Sequence, residues 1–223
     1  MRYFVLFTGF ILALSNCHSD KTGTNNGAFS SEGIDSLAAV QDEPLRKEEN
    51  NATDSVNFEA AFEDFSAALQ AHDIAALNTF VDPQQGFWLI DQPGAVPAYT
   101  HYDRVQEVKR TYQGQPFVSI AAQMQTCNLQ ARNFPKFDCA MTDNGGSGYA
   151  EDGCFYTSGS AFRENDMWQY ASLNKQQEKQ VQELQGQVRQ SVLHTYSSYR
   201  FHFGYRNGHW RLYFADLRVP CSA

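Results

Sequence analysis

From Tyr199 to Leu217, apolar and polar residues alternate on both sides of Asn207-Gly208, the period of a half-buried strand. Asn-Gly is the strongest short-range hairpin signal, because a type I′ turn needs positive φ at both central residues. The turn sets the register. Arg206 faces His209, Tyr205 faces Trp210, Phe203 faces Leu212, Phe201 faces Phe214 and Tyr199 faces Asp216. One face is then apolar on both strands through three successive pairs. The other face carries Arg200, His202, Gly204 and Arg206 against His209, Arg211, Tyr213 and Ala215.

Nearer the N-terminus the period changes. Phe58, Phe62, Phe65 and Leu69 recur at helical spacing, with Ala61 and Ala68 in the same stripe. Asp73 is a good N-cap for a second helix through Val81, with Ile74, Leu77 and Phe80 on its apolar side, and Asp82-Pro83 stops it. Phe87 to Ile90 reads as a short strand before the turn Asp91-Gln92-Pro93-Gly94. Between Tyr99 and Gln125 the period is ambiguous. Val105, Val108 and Tyr112 suggest a short helix, and Phe117 to Met124 fits helix or strand. Phe134 to Trp168 is rich in Gly, Asp, Asn and Ser and reads as a long loop with short strands. Ser172 caps a long helix whose apolar positions are Leu173, Val181, Leu184, Val188, Val192 and Tyr196. The glutamines between Gln176 and Gln190 make its remaining surface uncharged but solvated. The class is α+β: an N-terminal helix pair, a long C-terminal helix and a sheet closed by the Asn-Gly hairpin.

A length of 223 residues suits one domain with appendages. The net charge of −8 argues against nucleic acid, whose phosphates demand a basic surface. At the N-terminus Arg2 precedes an apolar stretch, Tyr3 to Leu14, which is too short to span a bilayer core of ~30 Å. The stretch ends in Leu14-Ser15-Asn16-Cys17, which resembles a bacterial lipobox, with Asn16 where Gly, Ala or Ser is usual. The resemblance implies cleavage before Cys17, acylation of that cysteine (palmitate among the chains) and anchoring to a lipid bilayer. The division that follows is a signal peptide at 1–16, a flexible tether at 17–54 and a single domain at 55–223.

Assigning Cys17 to lipid leaves Cys127, Cys139, Cys154 and Cys221, an even set in a compartment where disulfides persist. Three connectivities are open. The reading favoured here is Cys139–Cys154 as a local clip, with Cys127–Cys221 holding the C-terminal tail. In the tether, Asp35-Ser36-Leu37 and Asp54-Ser55-Val56 resemble the acceptor used for O-glycosylation in some Gram-negative envelopes, which implies Ser36 and Ser55 as acceptors. Asp54-Ser55 reads equally well as a helix N-cap.

The order of helices, strand, turn and closing aromatic hairpin resembles the α+β cone of nuclear transport factor two-like (SnoaL-like) proteins. That resemblance rests on Phe58 to Ile90 and Tyr199 to Leu217 and implies a curved antiparallel sheet with a pocket in its concave face. Three further pieces resemble envelope lipoproteins of unknown role: Asp91-Gln92-Pro93-Gly94, Phe134-Pro135-Lys136-Phe137-Asp138-Cys139 and Pro220-Cys221-Ser222-Ala223. They imply a location in the cell envelope, at the outer membrane, with the side left open.

Asp216 falls on the apolar hairpin face opposite Tyr199, where a carboxylate is costly unless paired. It reads as a pocket acid or, preferred here, as a structural group bonded to Tyr199 or a backbone amide. His202, His209, Arg200, Arg206 and Arg211 make either an anion-binding face or a solvated strand face. His101 and Asp103 offer a His-carboxylate pair with nothing to complete a catalytic constellation. Asp143 to Asp152 fails the calcium-loop spacing, since Gly145 stands at the third position and Cys154 at the twelfth. No cofactor, metal or catalytic residue is expected. The expected role is a non-catalytic envelope module binding a small ligand, glycan or partner protein, with Tyr199, Asp216, His202 and Arg211 as ligand contacts. The alternatives are a small-molecule enzyme using a cone pocket and a structural or adhesive surface protein.

Overall fold

The computed structural model describes residues 45–110, 113–142 and 145–221, with side chains from Phe58 onward. Cys17 and Ser36 lie outside the described residues. Helices α1 (Leu45–Gln70) and α2 (Ile74–Thr79) precede strands β1 (Phe87–Asp91) and β2 (Ala98–Tyr102). Two 3-10 turns, Val105–Glu107 and Phe117–Gln123, lead to β3 (Leu129–Ala131). After β4 (Cys154–Ser158) come α3 (Ser160–Arg163), α4 (Lys175–Gln185) and β5 (Gln190–His194), and then the hairpin of β6 (Tyr199–Arg206) and β7 (His209–Asp216).

The strands form one seven-stranded open sheet in the order β2-β1-β7-β6-β5-β4-β3. It is mixed, which corrects the antiparallel sheet that the cone resemblance implies. β1 runs parallel to β7, and β3 parallel to β4. A parallel neighbour needs a crossover rather than a tight turn, and for β1 and β7 nearly the whole domain supplies it. Helices cover both faces. Phe87 and Leu89 of β1 join the core under α1 and α2, while Trp88 and Ile90 join a second core with Phe162, Val181 and Leu184 of α3 and α4. Burial on both sides explains why β1 reads as an unbroken apolar run.

The Phe58-Phe62-Phe65-Leu69 stripe of α1 lies on the hairpin. Phe58 meets Trp210 with ring centroids 4.7 Å apart, and Phe65 meets Phe201 at 5.4 Å. α1 begins at Leu45, so Asp54-Ser55 lies inside the helix instead of capping it. Leu45-Arg46-Lys47-Glu48-Glu49 are straight-chain residues that lose little freedom in a helix. Asp73 caps α2, accepting from the Ala76 amide at 3.0 Å.

The long C-terminal helix is shorter than the pattern suggests, starting later and ending earlier. Asn174, not Ser172, caps it in a reciprocal capping box with Gln177. Gly186 closes it, and Val192 then enters β5, paired with Tyr156 and Phe201 on either side. Apolar residues spaced by four satisfy a helix and, two apart, one face of a strand, and neighbours on both sides decided for the strand. Gln185, read as solvated, is buried and donates to the carbonyls of Phe162 (2.6 Å) and Asn165 (2.7 Å).

In the hairpin, Asn207 (φ 53°) and Gly208 (φ 79°) make the turn, and Arg206–His209, Tyr205–Trp210 and Phe203–Leu212 pair as the alternation requires. Past Leu212 the register slips. His202 pairs with Phe214, Phe201 with Ala215 and Arg200 with Asp216, so Tyr213 is the extra residue of a β-bulge. Asp216 is thereby moved off the face of Tyr199. The physical cause sits at Gly204: a Cβ there would meet the Tyr213 ring at 2.0 Å, so the ring lies directly over the glycine.

The disulfides are Cys127–Cys154 and Cys139–Cys221, with Cα atoms 5.7 and 6.0 Å apart, which corrects the pairing favoured from sequence. The parallel register Leu129↔Cys154 is the reason, because it carries Cys127 alongside the start of β4.

Candidate functional site

The bulge turns Asp216 toward the face that α3 covers. There a pocket of about 220 Å³ opens between the ends of β4 to β7, α3 and the residues after it. Phe134, Phe162 and Met167 give it apolar walls, and Ser191, Arg200, His202, Asp216 and Arg218 give it polar ones. β5 and β6 position Ser191 opposite His202, and β6 and β7 position Arg200 opposite Asp216.

Asp216 is buried and clasped by Arg218. The guanidinium Nε donates to Oδ1 at 2.8 Å and Nη2 donates to Oδ2 at 2.7 Å, while the Arg218 amide donates to Oδ1 at 3.2 Å. Burial alone would push this carboxyl up. The Arg218 hydrogen bonds and charge, with Arg200 and His202 beside them, outweigh burial and hold it below the usual carboxylate range. Arg218 also reaches Met167 Sδ from Nη1 at 2.8 Å, and Arg200 Nη2 donates to the Tyr149 hydroxyl at 3.1 Å.

His202 is 2 % exposed. Its ring stacks on Phe162 with centroids 3.6 Å apart and planes at 17°, and its Nδ1 lies 2.8 Å from Ser191 Oγ. Its Nε2 is buried and has no hydrogen-bond partner among the described residues. Burial is the largest influence on the imidazole, followed by the raising effect of Asp216 and the lowering charges of Arg200 and Arg218. The net result is a pKa of about 3, so His202 is neutral at physiological pH. In the tautomer whose Nδ1 accepts from Ser191 Oγ, the neutral imidazole presents Nε2–H as a donor; in the other tautomer Nε2 is an acceptor.

Other residues named from sequence lie elsewhere. Tyr199 is on the opposite face, where its hydroxyl donates to Gln123 and its ring lies under Arg110. Arg211 donates to the carbonyls of Thr79 and Val81 beyond α2, a structural clasp on the last turn of a helix. Arg206 reaches Gln84 and Asp82, and His209 is exposed. The cationic face is thus split by the bulge into an outer part and a buried part. His101 Nε2 contacts the Gln85 carbonyl at 2.7 Å, while its Nδ1 stands 3.8 Å from the exposed Asp103 carboxylate, too long for a hydrogen bond. Ser55 lies within α1.

Ser191, Phe162, Met167 and Arg218 join the site without having been singled out in the sequence. Arg218 alone had a local signal, the Asp216-Leu217-Arg218 spacing. The pocket's one carboxylate is already saturated by Arg218, so its donors do not form a metal-ligand set. Three donor atoms do converge elsewhere, at Cys127, Cys154 and His194. Comparison with protein-family models, curated proteins and solved structures gives no match.

Proposed function

We propose that the chain is a bilayer-anchored envelope lipoprotein and a non-catalytic binding module, whose pocket takes a small anion with an apolar body, such as a short or aromatic carboxylate. The observation that carries the ligand class is the unpartnered Nε2 of His202. A buried polar group left without a partner costs ~1–3 kcal/mol, and a ligand acceptor would relieve that cost. The charges point the same way. Arg200 and Arg218 against Asp216, with His202 neutral, leave the pocket one positive charge in excess. At about 220 Å³ it lies below the ~300–1,000 Å³ of sites for drug-sized ligands, so the ligand is small. Arg2, the Tyr3–Leu14 stretch and Cys17 support the anchor.

The Ser191–His202 contact favours a second reading, a hydrolase with Ser191 as nucleophile. A base with a pKa of about 3 is poorly driven to take a serine proton near neutrality. The carboxylate that would orient it is held by Arg218 instead. Binding is therefore the preferred reading.

The test is calorimetric titration of the detergent-solubilised chain with benzoate, short fatty acids, phosphate and sulfonates, alongside fractionation of Cys17→Ala. Carboxylates should bind and stabilise the fold, by ~2.7 kcal/mol at a hundredfold excess over Kd. Arg200→Gln and His202→Phe should abolish binding, and Cys17→Ala should leave the membrane fraction. No response to any anion would discard the ligand class, and turnover of an ester lost in Ser191→Ala would put the hydrolase first.

A further inference from the structure

A second constellation lies across the sheet from the pocket and shares no residue with it. Cys154 opens β4 and pairs in register with His194, the last residue of β5. Cys127 comes up beside Cys154 just before β3 and is disulfide-bonded to it. The two sulfurs and one ring nitrogen of His194 all lie within 4.8 Å of one another. His194 is fully buried and is held from both sides: Nδ1 lies 2.7 Å from Ser197 Oγ, and Nε2 lies 3.1 Å from both the amide and the carbonyl of Gln125. A ligating histidine uses one nitrogen and hydrogen-bonds through the other, so the nitrogen that turns to a metal would give up its partner here while the other keeps its own and holds the ring.

We propose that the Cys127–Cys154 disulfide is the closed form of a metal site, and that its reduction converts Cys127, Cys154 and His194 into a Cys₂His ligand set for Zn(II). The chemistry balances with an external dithiol as reductant. A thiolate attacks the sulfur of Cys127, the half-buried partner, and Cys154 leaves as thiolate. The second thiol of the reductant then displaces Cys127, so that two electrons and the dithiol's two protons pass to the cysteines and the dithiol becomes a disulfide. Zn(II) displaces the protons of the two cysteine thiols, and these are released to solvent. Two thiolates and a neutral imidazole around a dication carry no net charge, which is the combination a buried site tolerates best. Cu(I) in the same set would leave a buried negative charge, so Zn(II) is favoured over it. The tie between β3, β4 and β5 then persists in either redox state, covalent when oxidised and coordinate when reduced.

The experiment compares oxidised and phosphine-reduced full-length protein in Zn(II) titrations, with Co(II) as a spectroscopic probe of thiolate coordination. The reduced chain should take up one Zn(II) tightly and release two protons, and the oxidised chain should take up none. Cys139→Ser/Cys221→Ser should behave like wild type, and Cys127→Ser/Cys154→Ser should lose the site. His194→Gln should weaken Zn(II) by more than the ~10–100-fold that loss of a ligand's hydrogen-bond partner costs and should change the Co(II) spectrum. Equal uptake by both redox forms, or unchanged affinity and spectrum in His194→Gln, overturns the proposal. So does a reduced chain that unfolds and is not refolded by Zn(II).

Discussion

Asp216 and His202 sit side by side in the buried pocket and are displaced in the same direction, with opposite charge consequences. The Asp216 carboxyl is depressed, so its stabilising contribution is present above the unfolded carboxylate pKa and is lost as pH falls through the lower folded value. The His202 imidazole is also depressed, from its ordinary 6.5 to about 3. Between those values the unfolded chain binds a proton and the folded chain does not, so stability rises with pH at up to ~1.4 kcal/mol per unit and is lost as the pH is lowered. Thermal melts across pH 4 to 7 should show this slope in wild type and a flatter one in His202→Gln. Asp216→Asn should destabilise at neutral pH by ~3 kcal/mol or more, because it strands Arg218 without its carboxylate. A stabilised Asp216→Asn would identify the carboxylate as a strained functional acid instead. From sequence, Asp216 is expected to bond Tyr199 or a backbone amide; the Arg218 amide does donate to it at 3.2 Å, but the side-chain partner is the Arg218 guanidinium and not Tyr199. Pairing with Tyr199 followed from uninterrupted alternation, and one added residue replaced that partner with Arg218.

That added residue belongs to the element scale. Period-two reasoning is local and cumulative: every pair between the turn and Leu212 came out as read, and every pair beyond it did not. The run Leu212-Tyr213-Phe214 breaks alternation, and Gly204 stands beside it without a side chain. Together these two features signal a bulge. With Tyr213 1 % exposed and lying over Gly204, the ring has little room to withdraw. Gly204→Ala should therefore cost ~1–3 kcal/mol, read as a drop in the chemical-denaturation midpoint. A neutral substitution would mean that the ring swings aside freely. The α4–β5 boundary teaches a related lesson. Val188 and Val192 fit a helical stripe, but Gly186 and the open edges of β4 and β6 made strand pairing the better use of the segment.

For the whole molecule, long-range order was the least legible part. A helix pair, a hairpin and a mixture of helix and sheet follow from patterns within a few residues, and the even cysteine count announces two disulfides. The parallel pairing of β1 with β7, and the cystine partners, depend on which distant segments become neighbours, and no local period records that. The pocket was half-legible for the same reason: Arg200, His202 and Asp216 share one hairpin, whereas Ser191 and Phe162 arrive from other elements. Cys139–Cys221 spans 82 residues and fastens the segment after β7 to the loop before β4. Replacing both cysteines by serine should cost ~2–4 kcal/mol, mainly by freeing the unfolded chain. Guanidinium denaturation of the variant measures it, and an unchanged midpoint would make the bridge decorative.

The position of β7 between β1 and β6 also has a bearing on the order in which the protein can be made. It is the latest strand in the chain and one of the most central. Until it arrives, β1 lacks its inner neighbour and the phenylalanines of α1 lack Trp210 and Leu212 to pack on. Synthesis runs from the other end, so β1 emerges with only β2 beside it, and α1 emerges before the hairpin it packs on. Contacts this distant in sequence form slowly, and chains awaiting them expose apolar surface meanwhile. The sheet can therefore be completed only after β7 has been made, because β1 and β6 meet through it and not with each other.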